Sequence, residues 1–174
     1  MYFNYPAGTT NGMRTSAMSV TIDSNIMSNA YYCAFYSNYY ARYPSISYNT
    51  ITSRNSGTII SWYGLYFNQC HNVEALVGNK IRSTNTSISS PTGIYVYYYY
   101  NWTGYYGNGS GLIANNDIVL YTKSNSSGMY FYYPYSNVNI LHNSIYMYGT
   151  GNAYGCYLYN PTTSYKPIIK NNNF

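Results

Sequence analysis

The sequence predicts an all-β solenoid, in which the strands of successive repeats stack in parallel along one axis. Two short patterns alternate along the chain, and each is too small to bury an apolar face unless it stacks on its neighbours. The composition agrees with this fold, because 21% of the residues are aromatic and only 6% are charged. Asn, Ser, Thr, Gly and Tyr favour strands and turns, whereas surface helices need Ala, Leu, Glu and Lys.

The first pattern is an apolar residue, two residues of any type, an asparagine, one residue of any type and a second apolar residue. The six copies centre on Asn25, Asn49, Asn79, Asn116, Asn143 and Asn172, at successive separations of 24, 30, 37, 27 and 29 residues. Asparagine tolerates left-handed backbone angles, so each copy predicts a sharp bend between two strands. Asparagines at equivalent bends are predicted to form a ladder, in which side-chain amides hydrogen-bond from coil to coil.

The second pattern is a glycine, or a residue in its place, followed by alternating inward and outward residues. Copies begin at Tyr32, Gly64, Gly93, Gly128 and Gly155. This period of two is typical of strands with one buried face. The outward positions predict one stacked row of Tyr66, Tyr95, Tyr130 and Tyr157, and a second of Tyr36, Asn68, Tyr97, Tyr132 and Tyr159. The default explanation of both rows is structural, since aromatic pairs across strands contribute roughly 0.2–1 kcal/mol each.

The repeats also predict how the chain is divided. Residues 1–19 are expected to form a lead-in or partial coil, and residues 20–174 about five to six coils. The final copy stops at Phe174 without a polar cap, which predicts a solenoid that is open at its carboxyl end and belongs to a longer polypeptide. Within the repeats, Thr58 to Ile60 is predicted to form an additional strand, and Trp62 to pack over the core.

These repeats resemble those of right-handed parallel β-helix proteins of the pectate-lyase-like type, which carry asparagine-ladder repeats. The resemblance covers roughly residues 20–174 and rests on the six asparagine copies. The stretch that begins at Ser136, SNVNILHNSIYMYGTGNAYGCYLYN, is especially similar to degenerate repeats in large secreted surface proteins of bacteria. The resemblance implies a right-handed parallel β-helix and an extracellular or cell-surface location. It implies no particular activity, because this fold hosts many activities.

One connection is longer than its counterparts and provides the candidate binding site. The distance from Ile94 to Asn116 is 22 residues, against 14 from Met129 to Asn143. Insertions in solenoids lie on one face, frequently the binding face. The candidate ligand-binding residues in this connection are Tyr98, Tyr99, Tyr100, Trp102, Tyr105 and Tyr106. Their flat rings with polar edges predict stacking on the sugars of a polysaccharide or surface glycan; the equally open alternative is that they fold back over the side of the solenoid.

Acidic residues are scarce, which argues against catalysis and metal binding. The carboxylates Asp23, Glu74 and Asp117 are too few and too far apart for a paired-carboxylate hydrolase or a calcium site. No catalytic residue, metal or cofactor is therefore predicted. Asp117 takes the position that Lys80 has one coil earlier, so an ion pair between them is expected. Cys33 and Cys156 are predicted to share one inward position four coils apart, beyond the reach of a disulfide.

These observations predict a non-catalytic segment of a secreted or surface-attached protein, which acts as a rigid spacer and carries a carbohydrate-binding face. The alternative is a piece of a polysaccharide lyase or glycoside hydrolase whose catalytic coils lie elsewhere. The scarcity of acids favours the first interpretation. No nucleic-acid partner is expected, because the net charge of +5 comes from scattered basic residues. No membrane insertion is expected, because residues 1–19 hold no apolar run of signal-peptide or membrane-spanning length.

Overall fold

The computed structural model is a parallel β-helix. It describes residues 2–4, 11–15, 19–38, 42–69, 73–99, 111–134, 137–160 and 167–174. The described residues form three six-stranded sheets, named A, B and C here, in which all paired strands are parallel. Because the chain visits sheets A, B and C in that order in every coil, strands that are neighbours in a sheet come from successive coils.

The strands are β1 (Tyr2–Asn4), β2 (Asn11–Thr15), β3 (Ser19–Asp23), β4 (Ile26–Ala30), β5 (Cys33–Asn38), β6 (Arg42–Ser47), β7 (Thr50–Ser53), β8 (Ile59–Asn68), β9 (Ala75–Val77), β10 (Lys80–Ser83), β11 (Ile88–Tyr99), β12 (Gly111–Ala114), β13 (Asp117–Thr122), β14 (Ser126–Pro134), β15 (Val138–Leu141), β16 (Ser144–Gly149), β17 (Ala153–Tyr159) and β18 (Ile168–Lys170). Sheet A contains β1, β4, β7, β10, β13 and β16. Sheet B contains β2, β5, β8, β11, β14 and β17, and sheet C contains β3, β6, β9, β12, β15 and β18.

The interior of the solenoid is one continuous apolar cluster. Sheet A contributes a row of isoleucines, one from each of four successive coils, and all are buried. These residues are Ile51, Ile81, Ile118 and Ile145. In the amino-terminal half, the rings of Phe35, Tyr43 and Phe67 pack with centroids 5.5–5.8 Å apart. Because each coil covers the apolar face of the next, burial of a large side chain contributes about 1.5–3 kcal/mol at each position.

The predicted asparagine ladder is confirmed. Each ladder asparagine before the last donates from both its backbone N and its Nδ2 to the Oδ1 of the next asparagine, at 2.8–3.1 Å. In the five later asparagines, Nδ2 also donates to a main-chain carbonyl of the preceding coil, as from Asn116 to Leu76. The inner four amides are buried. The ladder therefore connects all six bends between sheets C and A.

The sequence pattern predicted that the ladder asparagine itself has the left-handed backbone of each bend, and this prediction is wrong. The left-handed backbone falls on the residue before the asparagine, which has φ between 54° and 67° at Ser24, Tyr48, Gly78, Asn115, His142 and Asn171. This position turns the chain so that the next residue, the asparagine, points inward and along the column of amides. The asparagine is required for its two donors and one acceptor rather than for its backbone tolerance.

Two other expectations about strands need correction. Thr58 to Ile60 is not an additional strand, because Ile59 and Ile60 begin β8 and the strand continues past Gly64. Tyr36 does not belong to the second tyrosine row: Cys33 pairs with Tyr63 and Phe35 with Leu65, which places Ala34 opposite Gly64 and Tyr36 opposite Tyr66. Ala34, rather than Tyr32, therefore occupies the glycine position in that copy. Trp62 is buried as predicted, and its Nε1 has no hydrogen-bond partner among the described residues.

The glycine column has a steric cause. A Cβ atom on Gly93 would lie 2.6 Å from the carbonyl oxygen of Gly128 and 2.8 Å from Cγ2 of Ile118. Gly64 and Gly128 show the same pair of contacts, with the next glycine of the column and with a sheet-A isoleucine. At this column, sheet B approaches sheet A too closely for a side chain.

Candidate functional site

The predicted binding loop lies largely outside the described residues. Tyr100, Trp102, Tyr105 and Tyr106 are not described, and of Tyr98 and Tyr99 only the backbone is described, as the end of β11. The hypothesis that these rings bind sugars therefore stays a prediction.

The outer side of sheet B carries a continuous array of aromatic rings, named here the tyrosine face. Its first row is Tyr36, Tyr66, Tyr95, Tyr130 and Tyr157, and its second row is Tyr97, Tyr132 and Tyr159. Neighbours in the second row stack with centroids 4.8 Å apart and planes within 17° of parallel. In the first row, Tyr95 and Tyr130 stack at 5.1 Å, whereas Tyr66 meets Tyr95 edge-on. The rings of the second row therefore cover one another's faces, whereas most neighbours in the first row meet edge-on or tilted.

Beside the first row lies a depression of about 320 Å³, named here the sheet-B groove. It is lined by Ser61, Tyr63, Ser90, Thr92, Tyr95, Asn125, Ser126, Ser127, Tyr130, Tyr154 and Tyr157. Aromatic rings and polar side chains therefore line the same depression.

The register of sheet B explains why the groove forms. Tyr63, Thr92, Ser127 and Tyr154 are paired in that order on four successive strands. Large rings at the two outer coils and small hydroxyl side chains at the two inner coils leave a hollow between them. Tyr95 and Tyr130, the inner members of the first row, are also in the lining. The groove is therefore a consequence of how the coils differ at one position.

The groove is uncharged. None of its lining residues is acidic or basic. Burial raises the pKa of the Tyr63 and Tyr95 phenols above 10.0, and it does the same at the more exposed Tyr130. These hydroxyls are protonated at neutral pH, so they can both donate and accept hydrogen bonds.

The charged residues of sheet A pair differently from the prediction. Lys80 and Asp117 are opposite each other in the register, as expected. The ion pair with Asp117 nevertheless comes from Arg82, which also donates from one guanidinium nitrogen to the Asp117 carbonyl oxygen at 2.7 Å. The forked guanidinium can contact the carboxylate and the main chain together, which a lysine ammonium cannot do as well. Glu74 lies apart from them, immediately before β9 of sheet C.

The cysteine prediction is wrong in its register. Cys33 is in the row of Tyr63 and Thr92, whereas Cys156 is in the row of Leu65, Ile94 and Met129. The two-residue error follows from the displaced glycine position at Ala34. Both cysteines are free thiols, and burial raises the pKa of Cys156 to about 12 and that of Cys33 well above 9.0.

Neither His, Cys, Asp nor Glu residues gather in groups of three or more that could hold a metal ion in the described part of the chain. Over the same residues, the fold has no helix of the length and apolarity that a membrane span requires. The chain matches no protein-family profile, no curated protein and no solved structure. The chemistry of its own surface is thus the basis for assigning a function.

Proposed function

We propose that this chain is a non-catalytic β-helix segment of a secreted or surface-attached protein, and that its sheet-B groove binds a neutral polysaccharide. The observation that carries this proposal is the lining of the groove, which combines tyrosine rings with the hydroxyl side chains of Ser61, Ser90, Thr92 and Ser127. Sugars present the same mixture of apolar C–H faces and hydroxyl edges. Such sites are concave and mostly preformed, with a few polar groups that fix orientation.

The rings at the margin of the groove are the best placed to contact a sugar. Tyr154 is 45% exposed and has its ring centroid 5.1 Å from that of Tyr157. Unlike the rings inside the stacked rows, Tyr154 follows small residues on the preceding two coils. One side of its ring is therefore open to the hollow, where a sugar would pack.

The lack of charge in the groove favours a neutral polymer over a uronate. A uronate carboxylate needs a cationic partner, and the guanidinium of Arg82 is already paired with Asp117 on sheet A. The same pairing, together with the position of Glu74 on another sheet, supports the non-catalytic interpretation over a lyase or hydrolase.

The spacer role is supported by the backbone. Three parallel sheets and the asparagine ladder run along the same axis, so each coil adds roughly 4.8 Å of hydrogen-bonded length. Bending such a rod requires the hydrogen bonds of three sheets to distort together.

Affinity electrophoresis in gels containing soluble polysaccharides tests the binding proposal. Retardation is expected in at least one neutral glucan, mannan or galactan gel and not in polygalacturonate. The Tyr154→Ala variant should lose most of the retardation. Tyr146→Ala is the matched control, because Tyr146 is a still more exposed tyrosine (63%) on sheet A, outside the groove.

Two outcomes would contradict the proposal. Equal retardation of the Tyr154→Ala and unmodified proteins would exclude the groove as the polysaccharide-binding site. Loss of binding in a Trp102→Ala variant, with full binding in Tyr154→Ala, would place the site in the predicted loop instead.

A further inference from the structure

The second row of the tyrosine face places phenol rings of adjacent coils in contact. The rings of Tyr132 and Tyr159 have centroids 4.8 Å apart and planes 5° from parallel, and they are paired in the register of β14 and β17. Tyr97 stacks on the other side of Tyr132 at the same distance. The three rings therefore point the same way from three successive strands.

This arrangement is suited to radical coupling. A tyrosine that loses one electron and its phenolic proton becomes a phenoxyl radical, with unpaired spin at the ring carbons next to the oxygen. Coupling then needs a second phenol within reach of the first. Here it is supplied in van der Waals contact, by a side chain one coil away.

We propose that the tyrosine face is a site of oxidative cross-linking, in which Tyr132 and Tyr159 are joined as dityrosine by a peroxidase-type oxidant that uses hydrogen peroxide. Each phenol gives up one electron and one proton. A carbon–carbon bond forms between the two ortho carbons, and the ortho hydrogens move to the oxygens. Hydrogen peroxide accepts the two electrons and two protons and becomes two molecules of water.

Access and radical transfer both favour this pair. Tyr159 is 40% exposed and Tyr132 is half-buried, so an external oxidant can reach the pair and water can accept the protons. Radicals formed elsewhere on the face can also migrate to it, because Tyr95, Tyr130 and Tyr132 are linked by centroid distances of 5.1 and 6.5 Å. The cross-link would fasten one coil covalently to the next, which resists the separation of coils that begins unfolding.

The test is oxidation of the intact protein by horseradish peroxidase and hydrogen peroxide at low protein concentration, followed by isolation of the monomer by gel filtration. The monomer should gain dityrosine fluorescence and lose the mass of two hydrogens. Peptide mapping should find the Tyr132 peptide joined to the Tyr159 peptide. The melting temperature of the oxidised monomer should be higher than that of the untreated protein.

Tyr132→Phe keeps the ring and its packing but removes the phenol that the stacked pairs with Tyr159 and Tyr97 share, so this variant should fold normally and lose most of the monomer fluorescence. Tyr48→Phe is the control for exposure alone, because Tyr48 is 66% exposed and lies at a bend away from the tyrosine face. Undiminished fluorescence in the Tyr132→Phe monomer would overturn the proposal. Cross-links found only between molecules, or only at Tyr48, would overturn it as well.

Discussion

Each inner ladder asparagine satisfies every polar atom of its side chain inside the protein. Asn116 donates through Nδ2 to Asn143 Oδ1 and to the Leu76 carbonyl oxygen, and its own Oδ1 accepts from the backbone N and Nδ2 of Asn79. A buried donor or acceptor that lacks a partner costs about 1–3 kcal/mol. Replacing one asparagine therefore disturbs its neighbours on both sides, and the end asparagines should matter less than the central ones.

Asn116→Ala is expected to lower the free energy of unfolding by about 3 kcal/mol or more, because it leaves the two Asn79 donors and the Leu76 carbonyl without their partner. Asn25→Ala is the matched control. It removes only the Nδ2 donor to Asn49 Oδ1 and to the exposed Asp23 carbonyl oxygen, while the backbone N of residue 25 still donates to Asn49 Oδ1. At this half-buried end of the ladder the change should cost about 1 kcal/mol. Urea denaturation monitored by circular dichroism measures the free energy of unfolding of both variants. Equal losses in the two variants would show that the ladder does not act through buried partners.

The strands of sheet B need a glycine at this column because a Cβ atom would meet the backbone of the next coil and an isoleucine of sheet A. The contact that a Cβ on Gly93 would make at 2.6 Å is with a carbonyl oxygen, which is part of the backbone and cannot rotate away. Ala34 shows that the first copy has adapted to a side chain at this position. The strand β4 of that coil has a register shift between Met27 and Ala30, so the neighbouring backbone is less regular there.

Gly93→Ala is expected to lower stability by about 1–3 kcal/mol, because the backbone of two coils must shift to admit the methyl group. Ala34→Gly is the comparison at the same position of an earlier coil. It introduces no clash and should cost only about 0.5–1 kcal/mol through the added freedom of the unfolded chain. Thermal melts of the two variants separate the effects, and a smaller loss for Gly93→Ala than for Ala34→Gly would refute the steric explanation.

The sequence predicted the elements best where a repeat has an unambiguous anchor. Asn25 to Asn172 mark the bends, and the glycines at 64, 93, 128 and 155 align four strands, so the row from Tyr66 to Tyr157 is confirmed. The copy near Ala34 has no glycine, and a shift of two residues keeps the inward and outward alternation intact. The pattern therefore could not reveal that the whole copy, Cys33 and Tyr36 included, is displaced by two residues.

The candidate site was less predictable, because repeats are found by what the coils share. The sheet-B groove depends on what they do not share: Tyr63, Thr92, Ser127 and Tyr154 occupy one position on four strands and differ in size. Once the register of sheet B is known, the sequence alone shows which coils have a small side chain at this position. The sequence could not show that Arg82, rather than Lys80, is the ion-pair partner of Asp117. The two basic residues lie two positions apart on one face of the sheet, and the choice depends on the reach of their side chains.

The whole molecule behaves as a stack in which each coil contacts mainly the coils before and after it. All strand pairs join elements of successive coils, and the core is continuous through them. Stability in such a solenoid is approximately a sum of coil and interface terms. A complete coil should therefore be removable, provided that the cut preserves the register of all three sheets.

Deletion of residues 117–143 tests this property of the stack. Asn116 and Asn143 are 27 residues apart and equivalent in the ladder, so the deletion joins Asn116 directly to Ser144, the residue that pairs with Asp117. The shortened chain should keep its β-sheet circular dichroism and unfold cooperatively at a lower temperature, because one coil interface is lost. Deletion of residues 117–142 removes one residue fewer and is the control. It shifts β16 by one position, which turns Ile145 outward and should abolish cooperative unfolding. Similar melting curves for the two deletions would mean that the coils are not held by a shared register.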